Sequence, residues 1–175
     1  LEYIEEYGRV VQGIIWFGSL ALHAGGVTAT SMSTQQSISS SPKLPPFGNE
    51  ILGWILEPNP ALERAGLHGN VACDASAFEL APGIGLLTST ENPNTHWCTA
   101  FEVLETTPLR IEKVTAALST LGCSQVEVKT RNKTIDPNEW QKKLTTKSKG
   151  ELLTVFALRL GKKRFACITR RHGSQ

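Results

Sequence analysis

What the sequence lacks first limits where the protein can reside. None of its apolar runs reaches the roughly 18 residues that a membrane-spanning helix needs. Three acidic residues, Glu2, Glu5 and Glu6, stand where a secretory signal peptide would carry basic ones. We therefore expect a cytoplasmic protein with no membrane partner. The chain opens on Leu1 rather than on methionine, so we also expect it to be the back half of a longer protein.

Closely spaced cysteines are missing as well. The four cysteines, Cys73, Cys98, Cys123 and Cys167, lie at least 25 residues apart. Zinc sites usually draw on pairs such as CxxC, which place two thiolates on one turn, so we predict no metal site. Scattered cysteines among aliphatic neighbours are typical of buried thiols, which suit a reducing compartment.

No motif for catalysis or nucleotide binding is found. The segment Gly83-Ile84-Gly85 lacks a third glycine, because Thr88 stands at that position, and a strand is predicted after it where a nucleotide loop would lead into a helix. P-loop, GxSxG and HExxH patterns are absent too. We therefore predict that this chain holds no cofactor and no catalytic residue, and an independent enzyme is the least favoured interpretation.

The composition is that of a folded domain with unevenly distributed charge. Hydrophobic residues make up 40% and charged residues 19% of the 175 residues. Residues 124–175 hold 13 of the 18 Lys and Arg residues but only four of the 16 acidic residues, which gives them a formal charge of +9, against −7 for residues 1–123. Such asymmetry favours a polyanionic partner, and a solubilising surface is the alternative.

Hydrophobic periodicity predicts an α+β fold in three parts. In residues 1–48 we expect a helix over 3–17, a strand over 27–33 and a linker rich in Ser and Pro over 34–48. From residue 51 onward the predicted elements follow the order β-α-β-β-α-β, which is ferredoxin-like, and we assign this segment to residues 49–123.

Residues 124–175 add a basic αββ unit. Pro137 suits the first turn of a helix that Asp136 caps, with Trp140 and Leu144 facing the core. Two apolar strands follow and are joined by a hairpin turn at Gly161. We expect basic residues at both tips of this hairpin. The apolar strands could also pair across the edge of a homodimer.

The basic residues of this unit are the candidates for RNA binding. Lysine and arginine neutralise phosphates, and asparagine can add hydrogen bonds. The candidates are Lys129, Arg131, Asn132, Lys133, Lys142, Lys143, Lys162, Lys163, Arg170 and Arg171. The central strands offer mainly Phe101 as an aromatic, so we do not expect the base stacking of an ordinary RRM domain.

Several short motifs, in this order and spacing, carry a resemblance to a known family. They are Gly8-Arg9, Trp16-Phe17-Gly18, Leu56-Glu57-Pro58-Asn59-Pro60-Ala61, Arg64-Ala65-Gly66-Leu67, Ala81-Pro82-Gly83-Ile84, Leu87-Thr88, Ala100-Phe101-Glu102-Val103-Leu104 and Val126-Glu127-Val128-Lys129-Thr130-Arg131. Along almost its full length the chain resembles the C-terminal region of bacterial class I SAM-dependent methyltransferase-like proteins with a THUMP-like C-terminal domain.

The resemblance carries three implications. The chain would comprise the tail of a methyltransferase domain with its linker (1–48), the ferredoxin-like segment (49–123) and a basic THUMP-like module (124–175). S-adenosylmethionine and the catalytic residues would belong to the upstream methyltransferase domain, and the THUMP-like module would present RNA to it. A structural or oligomerisation domain without nucleic-acid binding remains the alternative.

Overall fold

A computed structural model describes residues 1–21, 25–144 and 150–173. The strands are β1 Glu2–Glu6, β2 Arg9–Ile14, β3 Val27–Ser31, β4 Gln36–Ser40, β5 Trp54–Pro58, β6 Phe78–Glu79, β7 Leu87–Ser89, β8 Cys98–Pro108, β9 Cys123–Thr130, β10 Glu151–Leu160 and β11 Lys163–Arg171. The α-helices are α1 Pro60–Arg64, α2 His68–Asp74, α3 Ile111–Thr120 and α4 Pro137–Leu144, and a short 3-10 helix covers Gly18–Leu20.

The N-terminal segment forms a four-stranded sheet in the order β2-β1-β3-β4. The helix predicted over residues 3–17 is therefore wrong, because β1 and β2 form a hairpin there. Tyr7 and Gly8 connect the two strands with φ angles of 52° and 73°, the left-handed conformation that a two-residue hairpin turn requires. The strand predicted over 27–33 is confirmed as β3, which ends two residues earlier, at Ser31.

Part of the predicted linker over 34–48 is also ordered as a strand. Its serines pair with the threonines of β3, because β4 runs antiparallel beside that strand. The hydroxyl oxygens of Thr28 and Ser39 lie 2.8 Å apart, and those of Thr30 and Ser37 lie 2.9 Å apart. Cross-strand hydroxyl pairs of this kind stabilise a sheet without apolar alternation, so hydrophobic periodicity does not reveal β4.

The remaining strands form one seven-stranded sheet in the order β6-β7-β5-β8-β11-β10-β9. Only β9 and β10 run parallel; the other neighbours are antiparallel. The predicted α+β class is confirmed. The pairing differs from a closed ferredoxin-like sheet, because β10 and β11 lie between β8 and β9. The sheet therefore continues across the boundary that we predicted between residues 123 and 124.

Helices α3 and α4 cover one face of this sheet. Val114 and Leu118 of α3 and Leu144 of α4 are buried against the apolar side chains of β9, β10 and β11, with Trp140 packed at the margin, as its spacing with Leu144 predicts. The opposite face carries Ile55, Phe101, Phe156, Leu158 and Cys167 beneath a loop that contributes Leu80, Ile84 and Leu86. Each face thus has its own apolar core.

Helix α1 joins the two sheets. Asn59 caps it by accepting a 2.9 Å hydrogen bond from the Ala61 backbone N–H, and Pro60 occupies the first turn, as the sequence predicts. Its buried Ala61 and Leu62 pack with Ala29 of β3. The small sheet is consequently held against one end of the large one.

The apolar hairpin strands lie inside the sheet. β10 has β9 and β11 as neighbours, and β11 has β10 and β8. Both edges of each strand are already paired, so the dimer contact that we expected through these strands is not available.

Candidate nucleic-acid interface

A cavity of about 550 Å³ lies between the small sheet and the face of the large sheet that the helices leave uncovered. We call it the inter-sheet cavity. Its polar lining comes from both sheets and from the loop before β8. The lining includes Glu5, Ser31, Ser33, Thr34, Glu57, Asn59, Glu63, His96, Thr99, Lys129, Arg131 and Arg171. Three of the ten candidate residues, Lys129, Arg131 and Arg171, therefore meet in one place.

An ion-pair cluster stands at the wall of this cavity. Lys129 Nζ lies 2.5 Å from Glu57 Oε2, and Arg131 Nη2 lies 3.2 Å from Glu57 Oε1. A second carboxylate, Glu127, lies 3.8 Å from Lys129 Nζ. We call Glu57, Lys129 and Arg131 the Glu57 cluster. Each carboxylate oxygen of Glu57 faces a different cation.

The Glu57 cluster requires a strongly curved sheet. Glu57 is on β5 and Lys129 is on β9, with β8, β11 and β10 between them. In a flat sheet the two strands would be about 19 Å apart, given a spacing of about 4.8 Å, and their side chains could not meet. The face of the large sheet opposite helices α3 and α4 is therefore concave. Alternation along β9 turns Val126 and Val128 to the helices and Lys129 to this concave face.

The floor beneath Lys129 is aromatic. Lys129 Nζ lies 5.2 Å from the centroid of the Phe101 ring, within the range of a cation–π contact. Phe101 is fully buried and meets Phe156 edge-to-face, with centroids 5.0 Å apart. The ammonium group thus has an apolar support below it and a carboxylate beside it, which fixes its position more closely than a surface lysine's.

Glu5 organises the opposite wall of the cavity. It is buried and accepts hydrogen bonds from the Ser31 hydroxyl at 2.7 Å, the Asn59 side-chain amide at 3.0 Å and the Gly8 backbone N–H at 2.5 Å. Burial alone would raise the pKa of Glu5, but these hydrogen bonds outweigh it and lower the pKa below its usual value. The Glu5 carboxylate therefore ties the small sheet to the start of α1.

Arg171 brings a third cation to the inter-sheet cavity. It is exposed, and its register partner on β8 is Phe101, so it reaches the concave face from the end of β11. No carboxylate pairs with Arg171 among residues 1–21, 25–144 and 150–173. Asn132 and Lys133 follow β9 in a turn where both have left-handed φ angles, 58° and 50°, and both are exposed.

The other five candidates lie apart from the cavity. Lys142 and Lys143 are in the last turn of α4, where Lys143 pairs with Glu139 one turn earlier. Lys162 and Lys163 are at the β10–β11 turn and line a separate cavity of about 1020 Å³. Arg170 binds the two oxygens of Glu151 at 2.5 and 3.0 Å and one of Glu102 at 3.0 Å. The structure thus divides the predicted set into separate basic regions.

Arg170 and Glu151 stabilise each other in their charged forms. The hydrogen bonds with Arg170 lower the pKa of Glu151, and those from Glu151 and Glu102 raise the pKa of Arg170. The guanidinium of Arg170 is consequently occupied within the fold, whereas that of its neighbour Arg171 is not.

The glycine pair at residues 83–85 has a structural role. The Gly85 backbone N–H donates a 2.8 Å hydrogen bond to the buried Glu79 carboxylate, and Ile84 is buried under the concave face. A Cβ at Gly85 would come within 2.5 Å of Glu63 Oε1. The donor that a nucleotide loop would offer to a ligand is therefore used inside the fold, and these residues do not fit S-adenosylmethionine.

The four cysteines are free thiols. Cys123 and Cys167 are buried, Cys98 is partly buried and Cys73 is exposed, so the prediction of buried thiols is wrong for Cys73, which lies on the outer side of α2. Burial raises the pKa of both Cys98 and Cys167 to about 12. The part of the chain that the structure describes contains no group of three potential metal ligands and no helix long and apolar enough to cross a membrane.

The second half of the chain is similar to a known family. Residues 98–171 match the family described as THUMP domain-like. The match begins with β8 and ends with β11, so it starts before residue 124. Three basic residues of this THUMP-like segment line the inter-sheet cavity. Glu57, which pairs with two of them, lies outside the segment.

The relatives of the whole chain are named as methyltransferases. Two uncharacterized S-adenosylmethionine-dependent methyltransferases of Mycobacterium tuberculosis, from strains CDC 1551 and H37Rv, are each 26% identical over 160 residues, which is 89% of this chain and 43% of theirs. The crystal structure of a putative methyltransferase from Porphyromonas gingivalis W83 has the same fold, with a TM-score of 0.70 and 17% identity over 98% of this chain and 45% of its own. The chain thus spans less than half the length of these relatives.

Sequence reasoning found the cations of the Glu57 cluster but not its carboxylate. Glu57 stands before Pro58, and that setting indicates a turn residue as readily as a charged partner. Glu5 lies in the segment that was predicted as a helix, residues 3–17, so the sequence did not indicate its role either. Both carboxylates meet their partners only through sheet curvature and sheet-to-sheet packing, which have no local sequence pattern.

Proposed function

We propose that this chain is the non-catalytic part of a SAM-dependent methyltransferase and that it positions an RNA substrate through its basic surface. The observation that carries the proposal is the meeting of three cations of the THUMP-like segment, Lys129, Arg131 and Arg171, at the inter-sheet cavity. THUMP-like domains are associated with RNA binding, and cations on a fixed support suit phosphate contacts because they need little ordering on binding.

The catalytic domain is proposed to lie in the part of the relatives that this chain does not span. Their names support S-adenosylmethionine as the cofactor of the longer protein. We place its binding site in that upstream methyltransferase domain, since the Gly85 backbone N–H already donates to Glu79. Free thiols at all four cysteines support a cytoplasmic protein.

The candidate residues receive different roles in this proposal. The principal contact combines Lys129, Arg131 and Arg171, which line the inter-sheet cavity, with Asn132 and Lys133, which are exposed in the turn after β9. Lys142, Lys143, Lys162 and Lys163 extend the basic surface and attract RNA at longer range. Arg170 contributes least, since Glu102 and Glu151 already occupy its guanidinium.

A salt titration with charge-neutralising variants tests this function. Binding of a structured RNA should weaken steeply with salt, with a slope that falls by about 3 in Lys129→Gln/Arg131→Gln/Lys133→Gln. The matched control is Lys162→Gln/Lys163→Gln/Arg164→Gln, which removes the same charge from the hairpin turn and should lose much less affinity. RNA binding that is absent, or that ignores salt, would refute the proposal.

The alternative of a structural or oligomerisation domain is favoured by one observation. Large apolar side chains are exposed along β2 and just after it, including Ile15 and Phe17, which are 73% and 77% exposed. β2 is also an edge strand, so a partner could pair with it. Sedimentation equilibrium separates the two functions: a dimer that Val11→Ser/Phe17→Ser converts to a monomer, together with no RNA binding, would favour this alternative.

A further inference from the structure

We propose that the inter-sheet cavity is a phosphate-binding subsite whose anion position is occupied by the carboxylate of Glu57. The proposal rests on the proposed function and deepens it by naming the group that RNA must displace. Both oxygens of Glu57 face cations, Lys129 Nζ at 2.5 Å and Arg131 Nη2 at 3.2 Å. A phosphate presents its oxygens to lysine and arginine in a similar manner.

The partial burial of the Glu57 cluster would allow a phosphate to replace the Glu57 carboxylate. The side chains of Glu57, Lys129 and Arg131 are 23%, 27% and 30% exposed, so solvent reaches the cluster without surrounding it. A fully buried ion pair would be inaccessible, and a fully exposed pair would be screened and weak. The cavity beside the cluster, at about 550 Å³, has room for a phosphate group and the sugar that carries it.

The remaining charges of the cavity favour an anion next to the cluster. Arg171 lines the same cavity with no carboxylate partner among the described residues. Glu5 lies on the far wall, where Ser31 and Asn59 already donate to it. Once Glu57 moves aside, Lys129, Arg131 and Arg171 would present three positive charges to one ligand. The carboxylates that remain nearby are Glu127, 3.8 Å from Lys129 Nζ, and Glu63 on the cavity lining.

Glu57 comes from a different part of the chain than the cations with which it pairs. Lys129, Arg131 and Arg171 belong to the THUMP-like segment, whereas Glu57 is supplied by β5, before that segment begins. Glu57 therefore acts as an internal competitor that weakens RNA binding and restricts the subsite to ligands with enough negative charge to replace a carboxylate. A backbone phosphodiester of RNA carries one negative charge, which equals that of the carboxylate, and a terminal phosphate carries up to two.

The test compares Glu57→Gln with Glu102→Gln, using inorganic pyrophosphate and RNA as separate probes. Both variants remove one carboxylate that pairs with an arginine. Glu102 pairs with Arg170 away from the cavity, and Arg170 keeps its second partner, Glu151, in Glu102→Gln. Pyrophosphate should raise the melting temperature of Glu57→Gln by about 2–4 °C more than that of Glu102→Gln. Glu57→Gln should also bind RNA about twofold to fivefold more tightly than the wild type.

Two further variants keep the test decisive. Adding Lys129→Gln and Arg131→Gln to Glu57→Gln should abolish the gain, since those cations hold the anion. If Glu57→Gln loses its fold by circular dichroism, Glu57→Asp retains the charge but withdraws it by one methylene, and it should show a smaller gain in pyrophosphate response.

The outcomes separate this proposal from the proposed function. Equal pyrophosphate responses in Glu57→Gln and Glu102→Gln, or a gain that survives removal of both cations, overturns the subsite even if the protein binds RNA. A specific pyrophosphate response in Glu57→Gln together with no RNA binding supports the subsite and overturns the RNA function.

Discussion

The chain has two basic regions that look alike in sequence and differ in structure. Lys129 and Arg131 are half-buried and paired with Glu57, and the Phe101 ring lies beneath Lys129. Lys162 and Lys163 are exposed at a hairpin turn and have no carboxylate partner among the described residues. Local density of charge is therefore a poor guide to a binding site. The fold decides which cations are held in place and which are merely solvated.

The largest expected effect is on stability, and it comes from the Phe101 ring that lies beneath Lys129. Phe101→Ala should lower the free energy of unfolding by about 3–5 kcal/mol, because it leaves a cavity beside Phe156 and beneath Lys129. Lys162→Ala in the exposed region should change it by less than about 0.5 kcal/mol. Urea unfolding of both variants measures the difference. Similar losses of the free energy of unfolding in the two variants would contradict the difference between the two basic regions.

A second prediction concerns Glu5 on the opposite wall of the cavity. Glu5→Gln should cost about 1–3 kcal/mol at pH 7, since the amide cannot accept all the hydrogen bonds that Ser31, Asn59 and Gly8 donate. The folded-state pKa of Glu5 is lowered, so its stabilisation is present above the unfolded-state pKa near 4.5 and is lost as the pH falls through the lower folded value.

Urea unfolding of wild type and Glu5→Gln at several pH values between 7 and 3 checks this dependence. The difference in the free energy of unfolding between wild type and Glu5→Gln should become smaller as the pH falls. A gap that stays constant across this range would mean that the charge on Glu5 does not hold the two sheets together.

The smallest expected effect is chemical and leaves stability unchanged. A thiol reagent at pH 7.5 should modify Cys73 rapidly in the folded protein, whereas Cys98 and Cys167 should react only on unfolding, because burial raises the pKa of each to about 12. Mass spectrometry of the modified peptides gives the site of reaction. Rapid labelling of Cys167 would show that the concave face opens far more than its packing indicates.

How much of this structure the sequence could predict depends on the range of the interactions. The cap at Asn59 and Pro60, helix α4 and the hairpin at Gly161 follow from residues close in sequence, and all three are present. The helix predicted over residues 3–17 failed because its apolar spacing also suits a hairpin, and the decisive signal was the turn at Tyr7 and Gly8.

The candidate site was predictable only in part for the same reason. Lys129 and Arg131 are recognisable as cations at the end of a strand, but their contact with Glu57 spans more than 70 residues and depends on a curved sheet. Arg170 and Arg171 are adjacent in sequence, yet strand alternation sends them to opposite faces, where one is paired and the other is not. No local pattern distinguishes them.

Lysine footprinting tests the central claim most directly. Acetylation of the folded protein, with and without a structured RNA, is mapped by mass spectrometry at each lysine of the two basic regions. The account predicts that RNA protects Lys129 and Lys133 and leaves Lys162 and Lys163 as reactive as before. Protection of the hairpin lysines alone, or of no lysine at all, would contradict it.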